Sequence, residues 1–269
     1  MGGETLNCIK PFKKENDIFV YLEQLNREQK NEDDIFQTSA TESESAPAYK
    51  SLMHKIQSLH FFRDILNRYN ISLNGTLLEL GGGYGYLSAY IKAEFPAVTV
   101  IYSDVSKTAV KKSRQFEDLF KSSIDEKWVT SAEDIPFADN QFDIVLINAS
   151  FHHWQNPLQG LRECSRVLKK GGKLLLFMEP SCPAYLKNLY NAHVHRETIK
   201  ENYYTVKEYR TMVSNAGLLF KNYNYRNFLY RWNAKTMFYY FFLGMLPEVF
   251  IGFFPCTQVI IAYKGSETL

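Results

Sequence analysis

Short apolar runs alternate with segments of helical periodicity through the middle of the chain. The runs are Thr76–Leu80, Val98–Tyr102, Trp128–Thr130, Phe142–Asn148 and Lys173–Met178. Continuous apolar runs between helices are typical of parallel strands that helices cover on both faces of a sheet. The pattern therefore predicts an α/β domain that begins at residue 75, after a turn formed by Asn74 and Gly75.

Two further strands are predicted near the C-terminus, which brings the predicted number to seven. Leu219–Phe228 alternates aromatic and polar residues, and Thr257–Tyr263 is almost entirely apolar. A long aromatic segment separates them.

Residues 1–74 precede this pattern and are predicted to form a helical extension that acts as a lid. Apolar residues recur at steps of three, four and seven between Tyr49 and Tyr69, which predicts an amphipathic helix. Asn31–Ala46 is acidic and rich in Ser and Thr. This composition indicates a mobile loop or lid, and a plain linker is the alternative.

Local residue types predict where two later helices begin and end. Asn156–Pro157 supplies an N-cap and a proline in the first turn, and Gly171–Gly172 is expected to end that helix. Thr205 and Glu208 form a capping-box pattern for a second helix that ends near Gly217.

Charge and cysteine content exclude several classes of protein. The chain has 31 Lys and Arg residues against 29 Asp and Glu, a net charge of +2, so no nucleic-acid partner is expected. Its four cysteines lie far apart without a CxxC pair. Neither a zinc site nor a disulfide framework is therefore expected, and a reducing, cytoplasmic location is favoured. The first residues also lack the apolar core of a secretory signal.

A glycine cluster follows the first predicted strand. Gly81, Gly83 and Gly85 lie between this strand and a predicted helix. Glycines let the backbone turn sharply and approach a ligand, and a helix N-terminus presents free N–H groups. Asp104, at the end of the second strand, suits hydrogen bonding to ribose hydroxyls. A tight turn at the glycines and an N-cap at Asp104 are the alternatives.

The order of these motifs resembles that of the class I S-adenosylmethionine (SAM) dependent methyltransferases. Glu79–Gly85 reads ExGxGxG, in which the third glycine comes one residue earlier than in the GxGxxG of dinucleotide-binding enzymes. Ser131–Trp154 and Leu161–Pro180 are similar, in the same order, to later motifs of the family. The resemblance covers about residues 77–180. It is to the broad type 11 group, which acts on small molecules and includes quinone and lipid methyltransferases.

The resemblance implies a Rossmann-like α/β fold. Its seven-stranded sheet would be mostly parallel, with helices on both faces and an antiparallel last strand, beside the helical N-terminal lid. Residues 75–269 would form the SAM-binding domain, with insertions at about 181–204 and 229–256 that shape an acceptor pocket. SAM would be the cofactor and S-adenosyl-L-homocysteine (SAH) its product. The acceptor would be a small, hydrophobic or aromatic molecule that receives the methyl group on O or N.

The resemblance also implies roles for individual residues. The implied cofactor contacts are Glu79, Gly81, Gly82, Gly83, Gly85, Asp104, Val105, Ser131, Ala132, Glu133 and Asn148. Asp104 would hold the ribose hydroxyls, and Val105 would pack on adenine. Many members of the family carry Gly-Asp-Ala where this chain has Thr-Ser-Ala at residues 130–132. Either the Ser131 hydroxyl or Glu133 must therefore contact the adenine amino group.

Two histidines are the candidate catalytic residues. His152 and His153 follow the fourth strand at the carboxyl edge of the sheet, where open α/β folds bind ligands. A histidine there is a candidate general base because its pKa is near neutral, and support of the loop is the alternative. Glu179, after the fifth strand, suits either a polar acceptor or a loop contact. No metal site is expected, since adjacent histidines rarely chelate one ion.

The aromatic segment Thr236–Pro255 contains a single charged residue, Glu248. Its length would allow a transmembrane helix, but Pro247, the excess of aromatic residues and the flanking strands oppose that interpretation. A peripheral membrane contact through 236–255 or a hydrophobic acceptor pocket is one interpretation. Core packing or a homodimer surface is the other.

Two other functions compete with methyl transfer. A nicotinamide-dependent oxidoreductase is opposed by the spacing of the glycines. A non-catalytic interaction module with a SAM-binding fold is opposed by the intact glycine loop and Asp104.

Overall fold

The computed structural model describes residues 6–22, 24–42, 48–194, 202–226 and 234–265. The strands are β1 (Lys13–Glu15), β2 (Ile18–Val20), β3 (Thr76–Leu80), β4 (Thr99–Asp104), β5 (Glu126–Val129), β6 (Phe142–Asn148), β7 (Leu168–Ser181), β8 (Leu218–Tyr225) and β9 (Cys256–Lys264). The helices are α1 (Arg27–Glu42), α2 (Ala48–Arg68), α3 (Tyr86–Glu94), α4 (Lys107–Lys112), α5 (Arg114–Phe120), α6 (Pro157–Val167), α7 (Ala184–Val194), α8 (Val206–Asn215), α9 (Ala234–Met245) and α10 (Glu248–Ile251). A short 3₁₀ turn, Phe151–His153, follows β6.

The nine strands of the described residues form one sheet in the order β1-β2-β5-β4-β3-β6-β7-β9-β8. Within the sheet, the adjacent strands β2-β5-β4-β3-β6-β7 run parallel to one another. Strand β9 is antiparallel to both β7 and β8. All seven predicted strands are present, and the predicted antiparallel last strand is confirmed. The carboxyl ends of β3, β4, β6 and β7 meet at one edge of the sheet, which is where open α/β folds bind ligands.

The sheet has two strands more than the seven predicted. β1 and β2 form a hairpin, and β2 continues the sheet by pairing with β5, with Ile18 opposite Lys127 and Val20 opposite Val129. Each of the two strands has only three residues, so its two-residue period is too short to be recognised in the sequence. The N-terminal extension thus contains a hairpin as well as helices.

Helices cover both faces of the sheet, as the sequence predicts. On one face, Leu77, Val100 and Ile144 pack with side chains of α2, α3 and α5. On the other face, Leu78 and Ile101 pack with side chains of α6 and α8. Successive side chains of a strand point to opposite faces, so each continuous apolar strand contributes to two cores.

Helix α1 occupies most of the acidic segment before α2. The Asn26 side chain caps it by accepting hydrogen bonds from two N–H groups of the first turn, at 3.0 and 3.1 Å. Asp33 and Phe36 then contact the residues after β4 and the glycine turn. The interpretation of residues 31–42 as a loop or linker was wrong, because a cap and tertiary contacts outweigh the low helix propensity of Ser and Thr.

The helix that precedes β7 ends earlier than predicted. Asn156–Pro157 begins α6 as predicted, but α6 ends at Val167 and Gly171–Gly172 lies inside β7. Leu168 already pairs with Phe142 of β6, so strand pairing starts before the glycines, which lie in an irregular part of β7. The predicted capping box at the start of α8 is present.

Candidate active site

The turn between β3 and α3 allows close approach of the backbone to another group. Gly81 and Gly83 have φ angles of 66° and 58°, which residues with a Cβ rarely adopt. A Cβ on Gly81 would lie 2.5 Å from the Oγ of Ser150. The nearest atom to a Cβ on Gly83 would be in the Phe36 ring, 3.7 Å away. Gly83 therefore faces a space that α1 covers.

Tyr102 of β4 supports this turn from within the domain. Its hydroxyl donates a hydrogen bond to the carbonyl of Gly83, and a Cβ on Gly82 would lie 2.8 Å from its ring. Gly85 precedes α3 with a φ of 69° and is packed against Tyr102 and Ser113. Gly85 thus shapes the turn from behind the wall of the cavity that Gly81, Gly82 and Gly83 line.

Asp104, at the carboxyl end of β4, is buried beside the glycine turn and is only 5% exposed. Its two oxygens accept hydrogen bonds from the N–H groups of Gly83 and Ser106, both at 2.8 Å. Burial raises the pKa of this carboxyl to about 6. A carboxylate can accept about four hydrogen bonds, so Asp104 retains acceptor sites for hydroxyl groups of a ligand.

Glu79 of β3 is a second buried carboxyl at the same place, 2% exposed. The hydroxyl of Ser88 donates a hydrogen bond to it. Burial raises its pKa to about 7, and the nearby charge of Asp104 adds to the rise. A cationic group in the cavity would favour the charged form of Glu79, so its environment suits an ammonium ligand.

These groups line a cavity of about 340 Å³ at the carboxyl edge of the sheet. Its size lies at the lower end of the range for small-molecule sites, about 300–1,000 Å³. Ile35 and Phe36 of α1 also line it, and Trp154 and Met178 add further apolar surface. The cavity therefore combines buried carboxyls with apolar walls that exclude water.

Polar contacts hold α1 over this cavity at its N-terminus and near its middle. Asp33 accepts hydrogen bonds from the Ser106 hydroxyl and from the Thr108 N–H, the second at 3.2 Å. The side-chain amides of Asn26 and Gln155 form a reciprocal pair at 2.8 and 3.3 Å. α1 is thus attached both to the residues after β4 and to the residues after the 3₁₀ turn.

The residues after β4 and β5 bring Val105, Ala132 and Glu133 to the cavity wall. One oxygen of Glu133 accepts hydrogen bonds from the N–H of Gln155 at 3.0 Å and from that of the next residue at 3.2 Å. The Ser131 hydroxyl donates to its other oxygen. Ser131 lies behind the wall, so Glu133 is the side chain that the structure presents to the cavity.

The backbone is strained where β6 and β7 reach the cavity. Ala149 and Met178 have φ angles of 53° and 61°, and both line the cavity together with Asn148. Such conformations cost on the order of 1 kcal/mol or more and cluster at ligand sites. A hydrogen bond of 2.9 Å from the Ala149 N–H to the carbonyl of Phe177 holds the two strand ends together.

His153 lines the cavity, whereas His152 lies behind it with its ring centroid 4.1 Å from that of His153. The Nδ1 of His152 lies 2.8 Å from Glu179, which is fully buried. Glu179 also accepts hydrogen bonds from the N–H groups of Ser150, Phe151 and His152, at 3.0–3.3 Å. Glu179 and His152 thus support the loop, and His153 is the histidine placed as a candidate base.

Sequence reasoning did not identify Phe36, Trp154 and Met178 as residues of the cavity. Ile35–Phe36 is an apolar pair within a strongly polar segment, and this signal could have placed it against the domain. Trp154 and Met178 resemble ordinary core residues in the sequence, because their position at the cavity depends on the backbone turns after β6 and within β7.

The cavity fits the cofactor that the resemblance implies. The Val105 side chain suits the adenine face, and Asp104 has acceptor sites for the ribose hydroxyls. Glu79 suits the amino-acid ammonium, and the Phe36 ring covers the space in front of Gly83. Acceptors suited to the ribose hydroxyls and to the ammonium of SAM are therefore present on the cavity wall.

Comparison with known sequences agrees with this geometry. Residues 78–176 match the family model described as a methyltransferase domain. The chain is 39% identical over 93 residues to the uncharacterized protein YafE of Escherichia coli, covering 34% of this chain and 45% of that protein. It is 32% identical over 141 residues to the chloroplastic 2-methyl-6-phytyl-1,4-hydroquinone methyltransferase of Arabidopsis thaliana, covering 52% and 39%.

A third relative is the ubiquinone/menaquinone biosynthesis C-methyltransferase UbiE of Geotalea daltonii. It is 33% identical over 128 residues, which cover 44% of this chain and 52% of that protein. The chain thus spans about half of the length, or less, of these three curated relatives.

Solved structures share the fold. The YcgJ protein of Bacillus subtilis superposes with a TM-score of 0.53 at 21% identity, over 72% of this chain and 93% of that one. Geranyl diphosphate C-methyltransferase of Streptomyces coelicolor, solved with SAH, superposes with a TM-score of 0.55 at 17% identity, over 72% of each chain. The sheet topology and the cavity at its carboxyl edge agree with the match of residues 78–176 to the methyltransferase-domain family.

Proposed function

We propose that this protein transfers a methyl group from SAM to a small hydrophobic acceptor. The observation that carries the proposal is the buried carboxyl of Asp104 beside the glycine turn, in a cavity that α1 covers. Burial of a carboxylate is costly unless hydrogen bonds compensate for the lost water. Ribose hydroxyls supply such hydrogen bonds.

The side chains around the cavity would bind and align the cofactor. SAM, when bound, supplies a methyl group that its sulfonium already activates, so the protein contributes alignment and desolvation. Asp104 accepts hydrogen bonds from the ribose hydroxyls, Glu133 accepts one from the adenine amino group, and Glu79 pairs with the ammonium. Ile35 and Phe36 exclude water from the reacting groups.

In this proposal α1 is the lid of residues 1–74. It covers the cavity, so cofactor exchange requires that it move away. The contacts of Asp33 with Ser106 and of Asn26 with Gln155 would favour its return after exchange.

The names of the relatives support an apolar, aromatic acceptor. One is named for a phytyl hydroquinone and another for ubiquinone and menaquinone biosynthesis. The second name contains the word C-methyltransferase, so carbon is a third candidate for the methylated atom, beside O and N. In each case the methyl–acceptor bond forms as the methyl–sulfur bond breaks, and SAH leaves as a thioether.

His153 is the proposed general base for acceptors that carry a proton on the receiving atom. Its ring lines the cavity, and Glu179 holds the loop on which it lies. The imidazole would take the proton that the acceptor loses and pass it to water after transfer. A neutral amine acceptor would not need this step before transfer.

Calorimetric titration with SAH and with NAD tests the cofactor. We expect SAH to bind and NAD not to bind. NAD binding without SAH binding would support a nicotinamide-dependent oxidoreductase. Binding of neither would support a non-catalytic interaction module.

Transfer of a labelled methyl group tests the activity and the acceptor class. The acceptors are a phenol, an aromatic amine and a hydroquinone with a prenyl side chain, each compared with its non-aromatic polar counterpart. We expect label in at least one of the three aromatic acceptors, and NMR of the product identifies the methylated atom. Binding of SAH without transfer to any of them would contradict the proposed acceptor class.

A further inference from the structure

An aromatic patch lies on α7, α9, α10 and the turn after α10. Of the fifteen large hydrophobic side chains exposed in the described residues, ten belong to it. The members are Tyr185, Leu189, Met237, Phe238, Phe241, Phe242, Met245, Val249, Phe250 and Phe253. The other five are spread over the rest of the described chain. Apolar groups concentrated in this way mark a protein or membrane contact rather than ordinary surface composition.

The patch is the outer face of helices that are attached to the domain on their inner face. Tyr240 and Leu243 of α9 are buried, and the Tyr240 hydroxyl lies 2.9 Å from the Oγ1 of Thr257. Arg226 donates hydrogen bonds to the carbonyls of Leu243 and Leu246 at the end of α9, at 3.0 and 2.8 Å. The exposure of the opposite face is therefore a property of the folded helix.

The α7 part of the patch is joined to the part after α10. The Tyr185 hydroxyl donates a hydrogen bond of 2.7 Å to the carbonyl of Phe253. Leu189 follows Tyr185 by four residues, so both lie on the same face of α7. The three helices consequently present one continuous apolar surface.

The patch lies at the same edge of the sheet as the cofactor cavity. β9 begins at Cys256, directly after the patch, and Cys256 pairs with Ser181 at the carboxyl end of β7. Met178, three residues before Ser181, lines the cavity. A surface that binds this patch would therefore lie at the same edge of the sheet as the cavity.

Charge indicates which kind of surface binds the aromatic patch. Residues 181–269 contain ten Lys and Arg against five Asp and Glu, whereas residues 1–180 contain 21 against 24. Lys235 is exposed on the same face of α9 as Phe238, Phe242 and Met245, since these residues follow it by three, seven and ten positions. An apolar face with an exposed lysine on it complements a bilayer with anionic headgroups.

We infer that the aromatic patch binds the surface of a lipid bilayer that carries anionic headgroups. The contact is peripheral: none of the described helices is long and apolar enough to cross a membrane. The twelve residues of α9 extend over about 18 Å, against about 30 Å of hydrocarbon. The inference rests on the exposed side chains and stands without the proposed methyl transfer, but it would supply that reaction with an acceptor dissolved in the bilayer.

Flotation with vesicles tests the inference on the full chain. One set of vesicles is phosphatidylcholine, and the other is phosphatidylcholine mixed with phosphatidylserine. We expect the protein to float with the mixed vesicles and to bind the neutral ones at least about fivefold more weakly, because each basic group near an anionic surface contributes about that factor. Failure to float with either set would overturn the inference.

A matched pair of triple variants locates the contact. The first replaces Phe238, Met245 and Val249, which are 75%, 71% and 74% exposed, by Ser. The control replaces three exposed apolar residues elsewhere, Ile9, Leu119 and Leu219, by Ser. We expect vesicle binding to fall at least about 30-fold in the first variant and to be unchanged in the control. Equal binding by both variants would overturn the location.

Lys235→Glu tests the charge contribution separately. Vesicle binding should fall at least about fivefold on mixed vesicles and change little on neutral ones. Light scattering without lipid tests the main alternative. A monomer supports the inference, whereas a dimer that the patch variant converts to a monomer would assign the patch to a second copy of the chain.

SAH titration of every variant keeps this test separate from that of the proposed function. Vesicle binding without SAH binding would leave the bilayer contact in place and overturn the methyl transfer. SAH binding and methyl transfer without vesicle binding would overturn the bilayer contact and leave the methyl transfer in place.

Discussion

The cofactor cavity and the aromatic patch both hold side chains in an unusual environment, but the side chains are of opposite kinds. At the cavity, Glu79, Asp104 and Glu179 are carboxyls buried from water. On the patch, Phe238 and Val249 are large apolar side chains exposed to water. Charged groups are almost never fully buried without partners, and an apolar patch of this kind is uncommon on a monomeric protein.

The two regions also differ in how this cost is offset. Each buried carboxyl accepts hydrogen bonds from the protein, and Glu179 accepts from three N–H groups and lies beside a histidine nitrogen. The apolar groups of Phe238 and Val249 remain exposed to water in the isolated domain. The cavity is therefore stable as it stands, whereas the patch is favourable only when another surface covers it.

The largest effect is expected at the glycine turn. Gly83→Arg introduces a Cβ at a φ of 58° and places a long side chain in the cavity. SAH affinity should fall by at least about 1,000-fold, or about 4 kcal/mol. Calorimetry measures the change, and Gly265→Arg is the control because a Cβ there meets no atom within 4 Å. Unchanged affinity of Gly83→Arg would contradict the placement of the cofactor, and vesicle binding should be unaffected.

The next effect concerns catalysis. His153→Ala should lower turnover about 100- to 1,000-fold, since general-base catalysis contributes this much, while SAH affinity stays the same. His60→Ala, at an exposed histidine of α2, is the control. Wild-type turnover in His153→Ala would exclude this residue as the base.

Removal of a buried carboxylate should cost stability, in contrast to changes on the patch. Glu179→Ala leaves the N–H groups of Ser150 and Phe151 without their acceptor, so the free energy of unfolding should fall by about 3 kcal/mol. Phe238→Ser should change it by no more than about 0.5 kcal/mol. Urea unfolding compares the two. A larger loss in Phe238→Ser would show that the patch is part of the core.

Asp104→Ala should weaken SAH binding by about 1–3 kcal/mol, the range for hydrogen bonds to a charged group. Calorimetry again measures it, with Asp118→Ala at an exposed position of α5 as the control. If the dissociation constant of Asp104→Ala matches that of the wild type, the ribose assignment is wrong.

The smallest effect is a pH dependence. The pKa of Asp104 is raised to about 6 by burial, and ribose hydroxyls bind best to its charged form. SAH affinity should therefore begin to fall as the pH drops through about 7, where Glu79 takes up a proton, and fall further below pH 6, by at most about tenfold per pH unit for each group. Asp104→Asn should remove the part of the fall that lies below pH 6 and leave the part near pH 7 that belongs to Glu79. A wild-type profile that is flat through pH 5 would contradict the assignment.

The raised pKa of Asp104 has the opposite effect on the stability of the protein without cofactor. The folded state binds the proton of Asp104 more tightly than the unfolded state, whose value is near 3.8. The contribution of this group to stability therefore increases as the pH falls from above 6 to below 4. Urea unfolding of wild type and Asp104→Asn at pH 5 and pH 8 measures that difference.

The sequence by itself determined the central sheet and the elements that surround the cofactor. Apolar runs identify buried strands, because a strand in a sheet covered on both faces buries the side chains of both faces. Gly81, Gly83 and Asp104 could be identified because backbone conformation and strand ends restrict residue type locally.

Only the tertiary structure decided which side chains face the cavity and which support it. Ser131 and Glu133 are two residues apart, yet Glu133 lines the cavity and accepts a hydrogen bond from Gln155, whereas Ser131 lies behind the wall. The position of α1, the hairpin β1–β2 and the exposed face of α9 were likewise set by contacts between residues far apart in the chain. Such contacts leave no periodic signal, because each depends on how separate elements pack rather than on the local order of residues.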